Sequence, residues 1–176
     1  MLKGKRIILR PVTPDDVKET ISLRYDFEAN KQYLGYIFPI NLTNEQRWIE
    51  SLYSQRIRER IDLVIEEKNT HRFIGLIGVN NIDYINKRAK FGIFIKRRYW
   101  GKGFGKEAMK IFLNYLFNQI NLNKIYLEVL TENQRAIKLY KSMGFEPEGI
   151  LKAHYYQDGR YKDVAIYSIF KDKFCS

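Results

Sequence analysis

Apolar positions in this chain recur with two periods, and the places where one period gives way to the other divide it into elements. A first short strand, Arg6–Arg10, is closed by Pro11. Thr13-Pro14-Asp15-Asp16 then opens a helix, with Thr13 as N-cap, Pro14 in the first turn and Val17, Ile21 and Leu23 carried inward. Residues 28–42 are aromatic and irregular: Tyr33, Tyr36, Phe38 and Pro39 sit among Gly35 and Asn41, which suits a substrate-side loop or plain packing. Thr43-Asn44-Glu45-Gln46 has the form of a capping box and starts a second helix, with Trp48, Leu52 and Tyr53 at helical spacing. Asp62–Glu67 and Arg72–Asn80 are expected to pair as antiparallel strands about Lys68-Asn69-Thr70, and Ile82–Asn86 connects them to a strand at Arg88–Ile95.

The next stretch carries the first chemistry. The apolar run Phe91–Ile95 is followed by Lys96, Arg97 and Arg98, then by Gly101, Gly103 and Gly105 at alternate positions. A helix follows, with Phe104, Ala108, Ile111, Phe112, Tyr115 and Leu116 on one face, ending near Gln119. Strand, basic glycine-rich turn and helix is an arrangement in which backbone N–H groups and a helix start hold phosphate, and glycines let the backbone approach an anion closely. The spacing is neither the dinucleotide fingerprint, whose third glycine comes one residue later, nor a P-loop, because Glu107 stands where Ser or Thr is needed. The same glycines also suit a plain strand-to-helix turn.

Ile125–Leu130 alternates, with Ile125, Leu127 and Val129 on one face and Tyr126, Glu128 and Leu130 on the other. A helix from about Asn133 carries Ala136, Ile137, Tyr140 and Met143 on one face and stops at Gly144. Ile150–Tyr156 and Tyr161–Phe170 close the chain as a hairpin about Asp158-Gly159. Together these elements describe a single mixed α/β domain over residues 1–176, with mostly hairpin-connected strands and one helical crossover.

Composition narrows the classes. Of 176 residues, 45% are hydrophobic and 15% aromatic, enough for a folded core. No apolar run approaches the roughly 20 residues of a membrane span, and the absence of targeting signals leads to the expectation of a cytoplasmic protein without a membrane partner. The single cysteine, Cys175, offers no internal disulfide and is a poor nucleophile candidate; His71 and His154 without a second cysteine argue against a metal site. The net charge of +11 favours anionic partners, whether nucleic acid, membrane surface or a phosphorylated metabolite. Its clusters are Lys3-Gly4-Lys5-Arg6, Arg56–Arg60 and Lys96–Arg98; the second, with Arg56, Arg58 and Arg60 alternating with Ile57, Glu59 and Ile61, reads as a solvated face.

Two segments in order carry a resemblance. Arg98-Tyr99-Trp100-Gly101-Lys102-Gly103, continued by Phe104-Gly105, resembles the R/Q-x-x-G-x-G/A acyl-CoA signature of the GCN5-related N-acetyltransferase (GNAT) superfamily. Asn133-Gln134-Arg135-Ala136-Ile137-Lys138-Leu139-Tyr140-Lys141-Ser142-Met143-Gly144-Phe145 is similar to its N-x-x-A-x-x-x-Y-x-x-x-G-F segment. Ile8-Leu9-Arg10-Pro11, Glu148-Gly149 and Asp158-Gly159-Arg160-Tyr161-Lys162-Asp163 resemble the branch of ribosomal-protein and spermidine N-acetyltransferases.

The resemblance implies a mixed, mostly antiparallel sheet of six or seven strands flanked by about four helices and splayed at its fourth and fifth strands, here Arg88–Ile95 and Ile125–Leu130. It implies an acetyl-CoA-dependent N-acetyltransferase that moves the acetyl group to a primary amine by direct attack in a ternary complex. The pantetheine arm would bond the backbone at Phe94 and Ile95, and the pyrophosphate would sit on the N–H groups of residues 98–105. The implied cofactor-binding set is Phe94, Ile95, Arg98, Trp100, Gly101, Lys102, Gly103, Phe104, Gly105, Lys106, Asn133, Ala136 and Tyr140, with no metal. Tyr140 matches the family's general acid at the sulfur, though a packed helix-face tyrosine reads the same way. Glu128, in Leu127-Glu128-Val129, matches the glutamate proposed as base in ribosomal-protein alanine acetyltransferases, and pairing with one of 31 basic residues is the alternative. Where many members have an acid before the strand's Gly-Ile, this chain has Lys90, which removes one alternative base.

An attacking amine must be the free base, so a proton has to leave an alkylammonium of pKa about 10. The basic field disfavours a polycationic acceptor unless the pocket is locally acidic, for which Asp26 and Glu28 are the nearby candidates; a peptide N-terminus or an amino sugar carried on a nucleotide suits it better. The branch is also compatible with a homodimer. Competing classes are a basic nucleic-acid-binding protein, for which no base-reading module is visible, and a non-catalytic acyl-CoA-binding module, against which Tyr140 argues.

Overall fold

The computed structural model describes residues 1–34, 39–54 and 59–174. Gly35, Tyr36 and Phe38, the basic residues Arg56 and Arg58 with Ile57, and Cys175 lie outside the described residues. Eight strands form one sheet in the order β1-β2-β3-β4-β5-β6-β8-β7: β1 Leu2–Lys3, β2 Ile7–Pro11, β3 Ile61–Glu67, β4 Phe73–Asp83, β5 Arg88–Ile95, β6 Lys124–Leu130, β7 Glu146–Gln157 and β8 Arg160–Phe170. The strand number exceeds the expected six or seven: the two-residue β1 pairs with β2 through Leu2 and Leu9. Among the described residues the helices are α1 Val17–Arg24, α2 Phe27–Asn30, α3 Leu42–Ser54, α4 Phe104–Asn118 and α5 Gln134–Ser142, in line with the expected four or so.

Alternation along the strands divides the core between the two faces of the sheet. Val64 packs with Val12, Leu23, Ile49 and Phe73 beneath α1 and α3, whereas its neighbour Ile65 joins the larger cluster beneath α4. Helix α4 supplies Ala108, Met109, Phe112, Leu113 and Leu116 to that cluster, all fully buried, and each large apolar side chain contributes about 1.5–3 kcal/mol by leaving water. The positive φ values at Asp158 and Gly159 (52° and 79°) give the β7–β8 hairpin the turn its sequence announces. The start of α3 differs from the capping-box expectation: Asn41 Oδ1 accepts from Asn44 N at 2.8 Å, so the helix begins one residue before Thr43. Glu45 is turned inward, where it accepts from Arg24 Nε at 2.8 Å.

All neighbouring strands are antiparallel except β5 and β6. A parallel pair needs a crossover, which α4 provides. Pairing between β5 and β6 covers only Arg88–Lys90 against Lys124–Tyr126. Beyond those rungs the strands diverge over residues 91–95 and 127–130, and the edges they expose face a gap where the sheet splays, as expected.

Candidate active site

Strand β5 ends at Ile95, and the chain passes through a 3-10 turn, Arg97–Tyr99, before α4 begins at Phe104. Gly101 and Gly103 have φ of 73° and 81°, a left-handed backbone that costs other residues roughly 1–2 kcal/mol. Gly105 is glycine for another reason. A Cβ there would stand 3.0 Å from Ile95 Cδ1 and 3.4 Å from Leu139 Cδ2, so its absence keeps the space between β5 and α5 open.

The turn also sorts its amides. Tyr99 N–H donates to Lys96 O at 2.8 Å and Trp100 N–H to Arg97 O at 3.1 Å. At the start of α4, Glu107 N–H already donates to Gly103 O at 3.2 Å, which leaves the amides of Phe104, Gly105 and Lys106 as the unpaired first turn of a helix. Of the stretch expected to cradle an anion, residues 98–105, the amides of Tyr99 and Trp100 are thus taken, and those left run from Gly101 to Lys106 at the positive end of a 15-residue helix. Arg6 braces it from the far end of the chain: its backbone N–H and Nε donate to Glu107 at 2.7 and 2.9 Å, and its Nη1 to Lys102 O at 3.0 Å. Burial pushes the Glu107 carboxyl up, but these bonds outweigh it and hold the group below the usual carboxylate range.

A cleft of about 300 Å³ runs from this turn between β5 and α5, bordered by Ile95, Trp100, Gly103, Gly105, Asn133 and Tyr140. Lys106 and Ala136 line it too; Arg98 and Lys102 instead border a separate hollow with Arg72 and Tyr99. Phe104 is buried and meets Tyr99 edge-on at 5.7 Å, so its side chain anchors the turn and only its amide faces the site. Asn133 caps α5 by accepting from Ala136 N at 3.1 Å, and its Nδ2 donates to Gln32 O at 2.7 Å, tying the helix to the segment after α2.

Register separates Phe94 from Ile95. Lys96 N–H donates to Ile74 O at 2.9 Å, and hydrogen-bonded pairs alternate along an antiparallel ladder, so Phe94 bonds towards Leu76 of β4 while Ile95 is turned to the gap. The Phe94 backbone is thus a ladder group. Its ring stacks on Tyr33 at 3.9 Å and 16°. Ile95 N–H donates to the Tyr33 hydroxyl at 3.3 Å and Ile95 O accepts from Trp100 Nε1 at 2.7 Å.

On the other side of the splay a second cavity, of about 360 Å³, is bordered by Trp48, Asp62, Lys90, Phe94 and Glu128. Tyr33, Ile93 and Tyr140 border both cavities, so the Tyr140 ring stands where they meet. Burial pushes the Tyr140 phenol well above the ordinary tyrosine pKa, as it does that of Tyr33. Tyr140 is therefore a neutral donor. Glu128 reaches this cavity from β6, and its Oε2 lies 2.8 Å from Lys90 Nζ, an ion pair across the last rung before the splay. The expected acids are elsewhere: Asp26 caps α2 through Ala29 N at 3.1 Å and faces Arg97, and Glu28 pairs with Lys31 at 2.9 Å.

Tyr33 and Arg135 also border the cleft, beyond the residues the resemblance implied. The Arg135 guanidinium carbon lies 3.1 Å from the Trp100 ring centroid, and burial lowers its pKa. Arg135 sits inside the Asn133–Phe145 segment, and Tyr33 falls in the aromatic stretch 28–42 that suited either a substrate-side loop or packing. Among the described residues there is no cluster of metal-ligating side chains, and no helix is long and apolar enough to cross a membrane.

A family model for the acetyltransferase (GNAT) domain matches residues 6–146. A spermidine N(1)-acetyltransferase of Vibrio cholerae is 34% identical over 154 residues, covering 85% of this chain and 87% of the relative. The spermidine N(1)-acetyltransferase of Escherichia coli is 31% identical, covering 99% and 91%. The crystal structure of the spermidine N-acetyltransferase from Vibrio cholerae in complex with CoA and spermine superposes with a TM-score of 0.89 at 28% identity, over 97% of this chain and 98% of that one.

Proposed function

The chain belongs to the GNAT family of acetyl-CoA-dependent N-acetyltransferases, and from that premise we propose how its residues divide the work of acetyl transfer to a primary amine. The amides from Gly101 to Lys106 hold the diphosphate of acetyl-CoA, and the outward edge of β5 at Ile95 guides the pantetheine arm through the cleft. One observation carries the reading: two cavities open from opposite sides onto Tyr140, one behind an anion cradle and one free for an acceptor. The relative bound to CoA and spermine supports a primary amine as acceptor.

In this scheme the amine nitrogen attacks the thioester carbon, a C–N bond forms and the C–S bond breaks. Tyr140, kept neutral by burial, donates a hydrogen bond to the departing sulfur, whose thiolate would otherwise leave unassisted. Glu128 receives the ammonium proton, directly or through one water, with Lys90 holding its carboxylate at the gap, and the second proton that the nitrogen sheds as the amide forms ends on the thiolate, giving CoA thiol. Calorimetric titration with acetyl-CoA, followed by thiol release across a panel of amines, tests the assignment, with labelled DNA titrated in parallel. Saturable acetyl-CoA binding and amine-dependent thiol release are expected. DNA binding without either would overturn it.

A further inference from the structure

The cations around the glycine-rich turn fall into two groups. Arg6 is engaged by Glu107, Lys96 pairs with Glu19 and Arg97 faces Asp26. Arg72, Arg98 and Lys102 form the second group. Among the described residues none of these three side chains makes an ion pair or hydrogen bond to the protein, and no carboxylate borders the hollow of about 300 Å³ that they enclose with Tyr99. The Arg98 guanidinium carbon and Lys102 Nζ lie 4.9 and 5.9 Å from the Tyr99 ring centroid. A ring face attracts a cation while leaving its other N–H groups able to donate to an oxyanion.

The fold gathers these three cations from separate places. Arg72 ends the β3–β4 turn, where its carbonyl accepts from Glu67 N–H at 2.9 Å. Lys96 N–H donates to Ile74 O at 2.9 Å, so the chain leading into β4 runs beside the 3-10 turn, and Arg72 comes to border the same hollow as Arg98. Lys102 lies between Gly101 and Gly103, so one wall of the hollow is the start of the amide run that ends at Lys106. Tyr99 borders the hollow and the cofactor cleft alike, which makes the two neighbours across one residue. Three like charges without an acid repel one another, and a dianion among them removes that repulsion. Guanidinium groups match phosphate oxygens two at a time. The neighbouring cleft indicates which phosphate: in CoA the 3'-phosphate is joined to the diphosphate through one ribose, a link short enough to pass from the amide run over Lys102 into the hollow.

We propose, resting on the acetyl-CoA reading above, that the hollow of Arg72, Arg98 and Lys102 is a subsite for the 3'-phosphate of CoA, and that Arg72 makes the chain prefer CoA over its 3'-dephospho form. Acetyl-CoA and acetyl-3'-dephospho-CoA differ only in that group, and each is titrated calorimetrically into the wild type and Arg72→Gln. The wild type binds acetyl-CoA more tightly than the dephospho form by about tenfold or more. Arg72→Gln loses most of that preference: its affinity for acetyl-CoA falls, while its affinity for the dephospho form stays within about twofold of the wild type. Equal wild-type affinities for the two nucleotides overturn the proposal, as does a loss in Arg72→Gln that both nucleotides share equally. Inorganic phosphate is also titrated into the wild type already saturated with acetyl-CoA, and no binding is expected. Binding there that Arg72→Gln abolishes would assign the hollow to a free phosphate and overturn the proposal. Should Arg72→Gln not fold, the wild-type comparison decides alone. If neither nucleotide binds, the acetyl-CoA reading falls together with the subsite, a result distinct from two nucleotides bound equally well.

Discussion

Replacing Tyr140 by Phe separates chemistry from architecture more cleanly than any other change in this chain. The ring is 7% exposed and lies 5.9 Å from that of Phe145, contacts that phenylalanine keeps. Among the described residues the hydroxyl makes no hydrogen bond to the protein, so no buried partner is orphaned when it goes, and that orphaning is the source of the usual 1–3 kcal/mol cost. Stability should therefore change by less than about 1 kcal/mol, or about 2–4 °C in melting temperature for a domain of this size. Turnover should fall by about 10²–10⁴-fold, the usual contribution of a positioned proton donor, while acetyl-CoA affinity stays within about twofold. Burial raises the phenol's pKa, and a raised pKa extends the neutral, donating form to higher pH. The wild-type rate should thus show no decline attributable to this group up to about pH 10, the ordinary tyrosine value. Differential scanning calorimetry, acetyl-CoA titration and thiol-release rates from pH 6 to about 10.5 cover the three quantities. A variant that melts several degrees lower yet turns over normally would show that the hydroxyl serves the fold and not the reaction.

Gly103→Val forces a branched side chain into φ 81° and places Cβ 3.1 Å from Arg6 Nη2; acetyl-CoA binding by calorimetry should be lost while the far-UV spectrum is retained, and undiminished binding would refute the amide cradle. Arg6→Ala removes the side-chain bonds to Glu107 and Lys102 O, so acetyl-CoA affinity should weaken by roughly tenfold, about 1.4 kcal/mol, with kcat at saturation little changed. Acid stability is set by carboxyls held below their ordinary pKa by hydrogen bonds that outweigh burial: Asp16 and Glu66 through Arg10, Glu107 through Arg6. A depressed folded pKa gives stability that is full above the unfolded value and lost as pH falls through the folded one, so urea midpoints should hold to about pH 5 and decline below about 4; Arg10→Gln should flatten that decline.

What the sequence made legible was local. The β5–turn–α4 unit and the Asp158-Gly159 hairpin each depend on residues a few positions apart, and each is present as read. The exceptions are instructive for the same reason. Thr43 and Asn41 both satisfy the residue preference of an N-cap, and the choice between them turns on which carbonyl receives the first helical bond; Glu45 N–H donates to Asn41 O at 3.2 Å. Phe94 and Ile95 are both large and apolar, and their division into ladder and cleft is the parity of a register fixed with β4 at Leu76↔Phe94 and Gly75↔Ile95. Pattern identifies a strand well; it does not tell which of its edges is free.

The remaining gap concerns pairs that only the finished sheet brings together. Lys90 and Glu128 each stand out in the sequence, but neither announces the other as its partner. Their meeting follows from the parallel register, which sets Lys90 beside Tyr126; Glu128, two residues further along β6, shares that face because side chains repeat every second residue. The contact falls where pairing stops, so one ion pair lies at the fork of the splay, at the border of the acceptor cavity. Tyr33 reaches the same region by a longer route, crossing 62 positions to accept the Ile95 amide. A site assembled this way inherits its cofactor half from a contiguous motif and its acceptor half from sheet register and loop closure. The glycine-rich turn could be read because its residues are contiguous, whereas the Lys90–Glu128 pair required the parallel register.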